Sequence, residues 1–489
     1  MRARLRAARS GLVGSGLLMV ISCGGGGSSA IAPAPQLPTV TVTANPASVS
    51  SGQSSTLTWS STNATSCTAS GAWSGSEGTS GTASTGALTA PSTFTLSCTG
   101  SGGTAKASAN VAITAPLTNH VALVVDPGPA NRANTLFTTV TICVPGTSTC
   151  QTIDHVQVDT GSSGLRILSS VLSSSLSLTV QSASDGNALA ECTQFVDGYS
   201  WGPIAAVDLT VGGETAGSMP VQIIGDAGFA SIVPSACSTI PNPENTVAQF
   251  GANGILGISI FDHDCGPACA APITAGSPGF YYSCTTMACS EIPVPVASQL
   301  PNPVTFFATN NNGVIIELGS VPAAGLATLS GTMIFGIDTQ SNNQSGSQTI
   351  VTLNGGGDFT TLFNNQTLSQ SFADSGSSGL YFNDSSLVAC NPKGVFKGFY
   401  CPASTTTFTA TLQGANAISV TESFGVANAA VLGSANPGFA VFGNLAGTYP
   451  SSAGTNTFDW GLPFYFGKTV YTAFAGATTA VGTGPYIAF

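Results

Sequence analysis

Charge is what this sequence has least of. Of 489 residues, Asp, Glu, Lys and Arg together make up 6%, with 10 basic against 21 acidic side chains and a net charge of −11. Ten scattered cations cannot form the basic stripe that neutralises phosphates, so nucleic acid is excluded as a partner. Histidine is nearly absent: His120, His155 and His263 are all there are. No glycine-rich loop ending in Gly-Lys-(Ser/Thr) exists to cradle a nucleotide phosphate. Abundant Gly, Pro, Ser and Thr can accompany disorder, but disordered chains are poor in apolar residues. Here 42% of residues are hydrophobic, enough for a substantial core. Long apolar runs are also missing, apart from a short one at Gly11–Ile21.

What the chain does have is glycine (59), proline (28) and many β-branched residues. Short β-favouring runs broken by Gly, Ser and Asn predict an all-β protein. Its length predicts two or three domains. Arg2, Arg4, Arg6 and Arg9 precede the run Gly11–Ile21, which is too short to span a bilayer and reads as a signal peptide over residues 1–22. Val20-Ile21-Ser22-Cys23 resembles the bacterial lipobox. That resemblance implies lipidation of Cys23 and, with Gly24 following, attachment to the outer membrane of a Gram-negative bacterium. An ordinary secretory signal with an incidental Cys is the alternative. Residues 23–38 then form a flexible tether.

Residues 39–114 alternate in short β runs around Trp59, Cys67 and Cys98, and resemble a small Ig-like β-sandwich, with Trp59 read as core. Thirteen cysteines less Cys23 leave twelve, an even number suited to disulfides in an exported protein. Connectivity stays open, although Cys143–Cys150 and Cys390–Cys401 are spaced to staple hairpins.

Beyond residue 116 the chain repeats itself. Val156-Gln-Val-Asp159-Thr-Gly-Ser-Ser-Gly-Leu matches Ser371-Phe-Ala-Asp374-Ser-Gly-Ser-Ser-Gly-Leu. Two equivalent lobes, 116–300 and 301–489, each contributing one carboxylate, is the simplest reading. Beta runs Leu136–Val144 and Thr349–Leu353 are expected to precede the two motifs. Paired carboxyls can hydrolyse a peptide bond without metal or covalent nucleophile: one takes a proton from a bound water while its protonated partner donates to the carbonyl oxygen. Gly161 and Gly376 allow the tight turns, Thr160 and Ser375 can bond across the pair, and Ser162 and Ser377 can donate to the carboxylates.

With these motifs, residues 119–489 resemble the pepsin-like aspartic peptidases. Asn253-Gly-Ile-Leu-Gly-Ile258 is similar to the segment threaded past the first Asp loop, and Phe195–Gly213 to the flap hairpin. Val304-Thr-Phe-Phe and Gly313–Gly319 are similar to interlobe strands, and Trp460–Phe474 to the closing segment. The resemblance implies all-β, bilobed double-ψ barrels, here behind the small sandwich. It also implies Asp159 and Asp374 as catalytic residues, no cofactor and no metal, a polypeptide substrate, and a monomer. The family's flap Tyr falls on Phe195, with Tyr199 and Trp201 near enough to replace it. Gly461-Leu-Pro463 stands where hydrophobic-hydrophobic-Gly is usual, and the Cys-rich stretch 264–290 lacks a counterpart. No basic inhibitory propeptide precedes the sandwich.

The leading expectation is a surface-anchored aspartic endopeptidase. The alternative is a catalytically silent pepsin-like fold binding protein or glycan at the cell surface, and a third reading is an adhesin led by residues 39–114. Two rival motifs are weaker. Gly198-Tyr-Ser-Trp-Gly202 fits the Gly-x-Ser-x-Gly pattern of serine hydrolases but is followed by Pro203 and a β run instead of a helix. Asp262-His-Asp-Cys-Gly-Pro-Ala-Cys269 has metal-ligand residue types but reads as a disulfide loop. His155 reads as a strand-edge side chain.

Overall fold

The structure, a computed structural model, describes residues 34–114, 118–240, 242–450 and 454–489. Cys23, the signal segment and most of the tether lie outside them. The chain divides into two compact units between Pro116 and Leu117.

The first unit is two small sheets around one core. Thr39–Asn45, Thr56–Thr62 and Ser80–Ser84 form one; Ser48–Ser50, Gly103–Thr114, Ser92–Gly100, Ser66–Gly71 and Gly75–Glu77 form the other. Alternation with period two sends Leu57 and Trp59 inward and the intervening threonines out. They meet Phe94, Leu96 and Val111 from the second sheet. Cys67 and Cys98 are bonded, but as directly opposed neighbours in one sheet. In an Ig domain the disulfide joins the two sheets instead. Trp59 is 5% exposed and its indole N–H donates to the Gly78 carbonyl, a core role.

The regular elements of the second unit are also mostly strands. Leu136–Cys143 and Cys150–Asp159 form a hairpin closed by a Cys143–Cys150 disulfide between opposed residues. Strand Gly254–Ile258 then lies between two strands of the first Asp motif. It runs parallel to Cys150–Asp159, with Gly257 opposite Asp159. It runs antiparallel to Ser163–Leu168, with Gly257 opposite Gly164. The second lobe repeats this: Asp459–Trp460 runs parallel to Gln366–Ala373 and antiparallel to Leu380–Tyr381. The registers 372↔459 and 373↔460 carry Asp374 onto Gly461.

That register corrects one sequence expectation. The hydrophobic-hydrophobic-Gly position of the second lobe is Asp459-Trp460-Gly461, with Leu462 and Pro463 beyond it. A Cβ on Gly257 would lie 2.8 Å from the Ser162 carbonyl oxygen, and one on Gly461 would lie 2.7 Å from that of Ser377. Both sites exclude a side chain for the same reason.

Two further expectations change. Val304-Thr-Phe-Phe is not an interlobe strand, because Pro303 opens a 3-10 turn over Pro303–Phe306 capped by the Asn302 side chain. The run at Thr349 does not feed the second motif: Ile350–Thr352 pairs with Tyr486–Ala488, whereas the hairpin Phe359–Phe363 with Gln366–Ala373 leads to Asp374. The shared sheet beneath the lobes runs His120–Val125, Leu329–Phe335, Gly313–Leu318, Thr469–Ala473, Tyr486–Ala488. Val314, Ile315 and Ile316 are all buried, on both faces of that sheet.

Candidate active site

Each Asp leaves the end of a strand into a turn whose own groups hold its carboxylate. Gly161 N donates to Asp159 Oδ1 at 2.7 Å, and the Ser162 hydroxyl bonds to Oδ2. In the second lobe Gly376 N donates to Asp374 Oδ1 at 2.7 Å, and Ser377 Oγ lies 2.9 Å from Oδ2. The two turns are cross-braced. Thr160 N donates to Ser375 Oγ at 3.2 Å, and Ser375 N donates to Thr160 Oγ1 at 2.9 Å. Ser375 Oγ then donates to the Val158 carbonyl, and Thr160 Oγ1 to that of Ala373. Gln157 Nε2 donates to the Gly376 carbonyl at 2.8 Å, adding another tie across the lobes.

This bracing brings the carboxyls face to face. A Cβ on Gly161 would lie 2.8 Å from Asp374 Cγ, and one on Gly376 would lie 2.5 Å from Asp159 Oδ1. Burial holds the Asp374 carboxyl well above the usual range, with the Asp159 and Asp459 carboxylates adding to it and the Gly376 N–H acting against. A carboxyl this close to a second one ionises with difficulty, for which aspartic proteases are the standard example. All eight residues read from the repeat as dyad or dyad support thus gather at one point.

The hairpin Ala188–Gln194 with Tyr199–Val211 turns at Phe195-Val196-Asp197-Gly198. Its tip lies near Glu244: a Cβ on Gly198 would lie 2.6 Å from the Glu244 side chain and 2.7 Å from the Asn242 carbonyl oxygen. The three aromatics expected to meet a substrate are engaged elsewhere. Phe195 packs edge-on against Phe250 with centroids 6.1 Å apart. Tyr199 is 7% exposed, and Trp201, 1% exposed, packs on Tyr282 and donates its indole N–H to the Phe229 carbonyl. The reason is the Cys-rich stretch: its strands Tyr281–Cys284 and Cys289–Glu291 extend the hairpin into a wider sheet. A Cys192–Cys237 disulfide fastens the hairpin from the side.

Beneath that sheet Arg166, fully buried, donates to Glu191 at 2.5 Å and to Asp264 at 3.2 Å, and Tyr281 donates to Asp264. Sequence reasoning missed this cluster, as it missed Asp459, which is 4% exposed and 2.6 Å from Ser377 Oγ. Tyr465 was also missed; its hydroxyl is 2.9 Å from Thr160 Oγ1. Nothing in local spacing marks any of them.

The rival motifs do not assemble. Ser200 sits inside a strand, fully buried, donating to Gln222 Oε1. Cys265 and Cys269 are bonded to each other and offer no thiolate. Among the described residues no group of three His, Cys, Asp or Glu side chains is arranged to hold a metal ion. His155 lies between Asp126 and Asp154 on a strand.

Fold and site together define a bilobed all-β protein built around a shared carboxyl pair. The chain belongs to the family described as "Protein of unknown function (DUF3443)", whose model matches residues 115–489. No curated protein matches the chain. Among solved structures it is similar to the aspartic proteinase from Irpex lacteus, at 14% identity and a TM-score of 0.43, covering 76% of this chain and 96% of that one.

Proposed function

We propose that this protein is an aspartic endopeptidase, carried at the cell surface by a lipid on Cys23. The observation that supports it is the cross-braced pair of Asp turns with a raised Asp374. In this reading Asp374 holds the shared proton and gives it to the scissile carbonyl oxygen. Asp159, held by Gly161 and Ser162, takes a proton from the attacking water. The water's oxygen bonds to the carbonyl carbon; as the C–N bond then breaks, Asp159 gives its proton to the leaving amine nitrogen and Asp374 takes one back from a hydroxyl of the intermediate. The hairpin tip Phe195–Gly198 covers an extended polypeptide from above.

The test is cleavage of an unfolded protein between about pH 3 and about pH 7 by wild type, Asp159→Asn and Asp374→Asn. Wild type should cleave and both variants should lose at least ~100-fold. No cleavage by wild type, or equal cleavage by the variants, defeats the reading. The engaged Tyr199 and Trp201 favour a second reading, a silent cleft that binds protein or glycan. It predicts that the Asn variants keep full ligand binding while no form cleaves. Anchoring is tested separately: Cys23→Ser should release the protein from the membrane fraction.

A further inference from the structure

Asp459 occupies the register in the second lobe that Ile255 occupies in the first. Where the first lobe packs an apolar side chain behind its Asp turn, the second buries a carboxyl. Its Oδ2 is 2.6 Å from Ser377 Oγ, the same hydroxyl is 2.9 Å from Asp374 Oδ2, and Asp459 Oδ1 has no partner among the described residues. One hydroxyl carries one proton, yet two hydrogen bonds through it require two. The second proton therefore belongs to a carboxyl of the chain. A buried carboxylate with an orphaned oxygen is the costly form, which places the proton on Asp459. In the first lobe Ser162 serves Asp159, and Ile255 offers no proton.

The titratable groups whose charge is felt between them and Asp459 are the carboxyls of Asp374 and Asp159 and the hydroxyls of Tyr381, Tyr449 and Tyr465; among the described residues none of these is a cation. Burial pushes the Asp459 carboxyl up to about 8, the Ser377 contact acting against this and Asp159 adding to it.

We propose that Asp459 is a positioning residue that stores a proton and returns it through Ser377 to Asp374, extending the dyad's working range toward neutral pH. In the transfer the Asp459 O–H bond breaks as its proton passes to Ser377 Oγ, and the Ser377 proton passes to Asp374 Oδ2. One proton moves in net, and the hydroxyl is restored. The kinetic consequence rests on the peptidase reading; the site of the proton does not.

Two measurements on the full chain test it. The first is the pH profile of kcat/KM for wild type, Asp459→Asn and Asp459→Ile, the last copying the first lobe. Relative to its rate near pH 4, each variant should lose about tenfold near pH 7, a shift of about one unit in the basic limb. A loss equal at every pH would mean mere structural support and overturn the proposal. The second is infrared difference spectroscopy at about pH 6, which reads protonated carboxyl groups without turnover. Asp459→Asn should lose a protonated-carboxyl band present in wild type, and retention of that band overturns the proposal. Because this readout needs no catalysis, it stands or falls apart from the peptidase assignment.

Discussion

Thr160 and Ser375 each donate a backbone N–H to the other's hydroxyl, at 3.2 and 2.9 Å, across the junction of the two lobes. Both residues are buried, so water cannot replace either bond. Thr160→Val and Ser375→Ala should each destabilise by about 1–3 kcal/mol, because each leaves a buried donor unpaired. Urea unfolding midpoints measure the loss. A double-mutant cycle should return a coupling of roughly 0.5–3 kcal/mol, the size expected for residues in one network.

Gly376→Ala addresses the dyad with little change elsewhere. Its Cβ would sit 2.5 Å from Asp159 Oδ1, too close for the carboxyls to keep their facing positions. If the site is catalytic, kcat should fall by roughly 100-fold, and a far smaller effect would mean the facing geometry is unused. Circular dichroism checks that the fold is kept.

Glu244 links the hairpin tip to pH. Burial pushes its carboxyl up from 4.5 to about 8, with Asp197 adding and Arg132 opposing. The folded state therefore holds a proton that the unfolded chain releases near its ordinary value. The associated stability is full below pH 4.5 and is lost as pH rises toward about 8. Glu244→Gln cannot ionise, so its melting temperature should exceed that of wild type at alkaline pH by a few degrees, at about 2–4 °C per kcal/mol. The gain should vanish in acid.

Arg166 balances two buried carboxyls, Glu191 and Asp264, which come from different parts of the first lobe. Arg166→Leu leaves both without a cation and should cost about 3–5 kcal/mol. The loss is read as a lowered urea midpoint, and it should be smaller in acid, because Asp264, whose carboxyl burial already pushes up, can take up a proton there.

Much of the site was legible because its signal is local. The seven-residue repeats at Asp159 and Asp374 carry their own turn glycines and hydroxyls, so acid, support and spacing appear together in one window of sequence. The hairpin was placed by resemblance alone, over Phe195–Gly213, whereas its first strand is Ala188–Gln194 and Phe195–Gly198 is its turn. Its lining was not legible. Whether Trp201 faces a cleft or Tyr282 depends on strands 281–284 and 289–291 adding to the hairpin, a pairing across 90 to 96 residues of chain.

By itself the sequence determined the β-rich class, the two equivalent Asp turns and the supply of paired cysteines, because turn chemistry and two-residue alternation act between near neighbours. Only the tertiary structure decided that Gly461, and not the segment after it, matches Gly257, and that Asp459 therefore sits behind Asp374. Parallel pairing of strands brought together from distant segments sets that register, and no local preference encodes it. The same long-range packing excludes water around Asp459 and makes one ordinary Asp a buried acid.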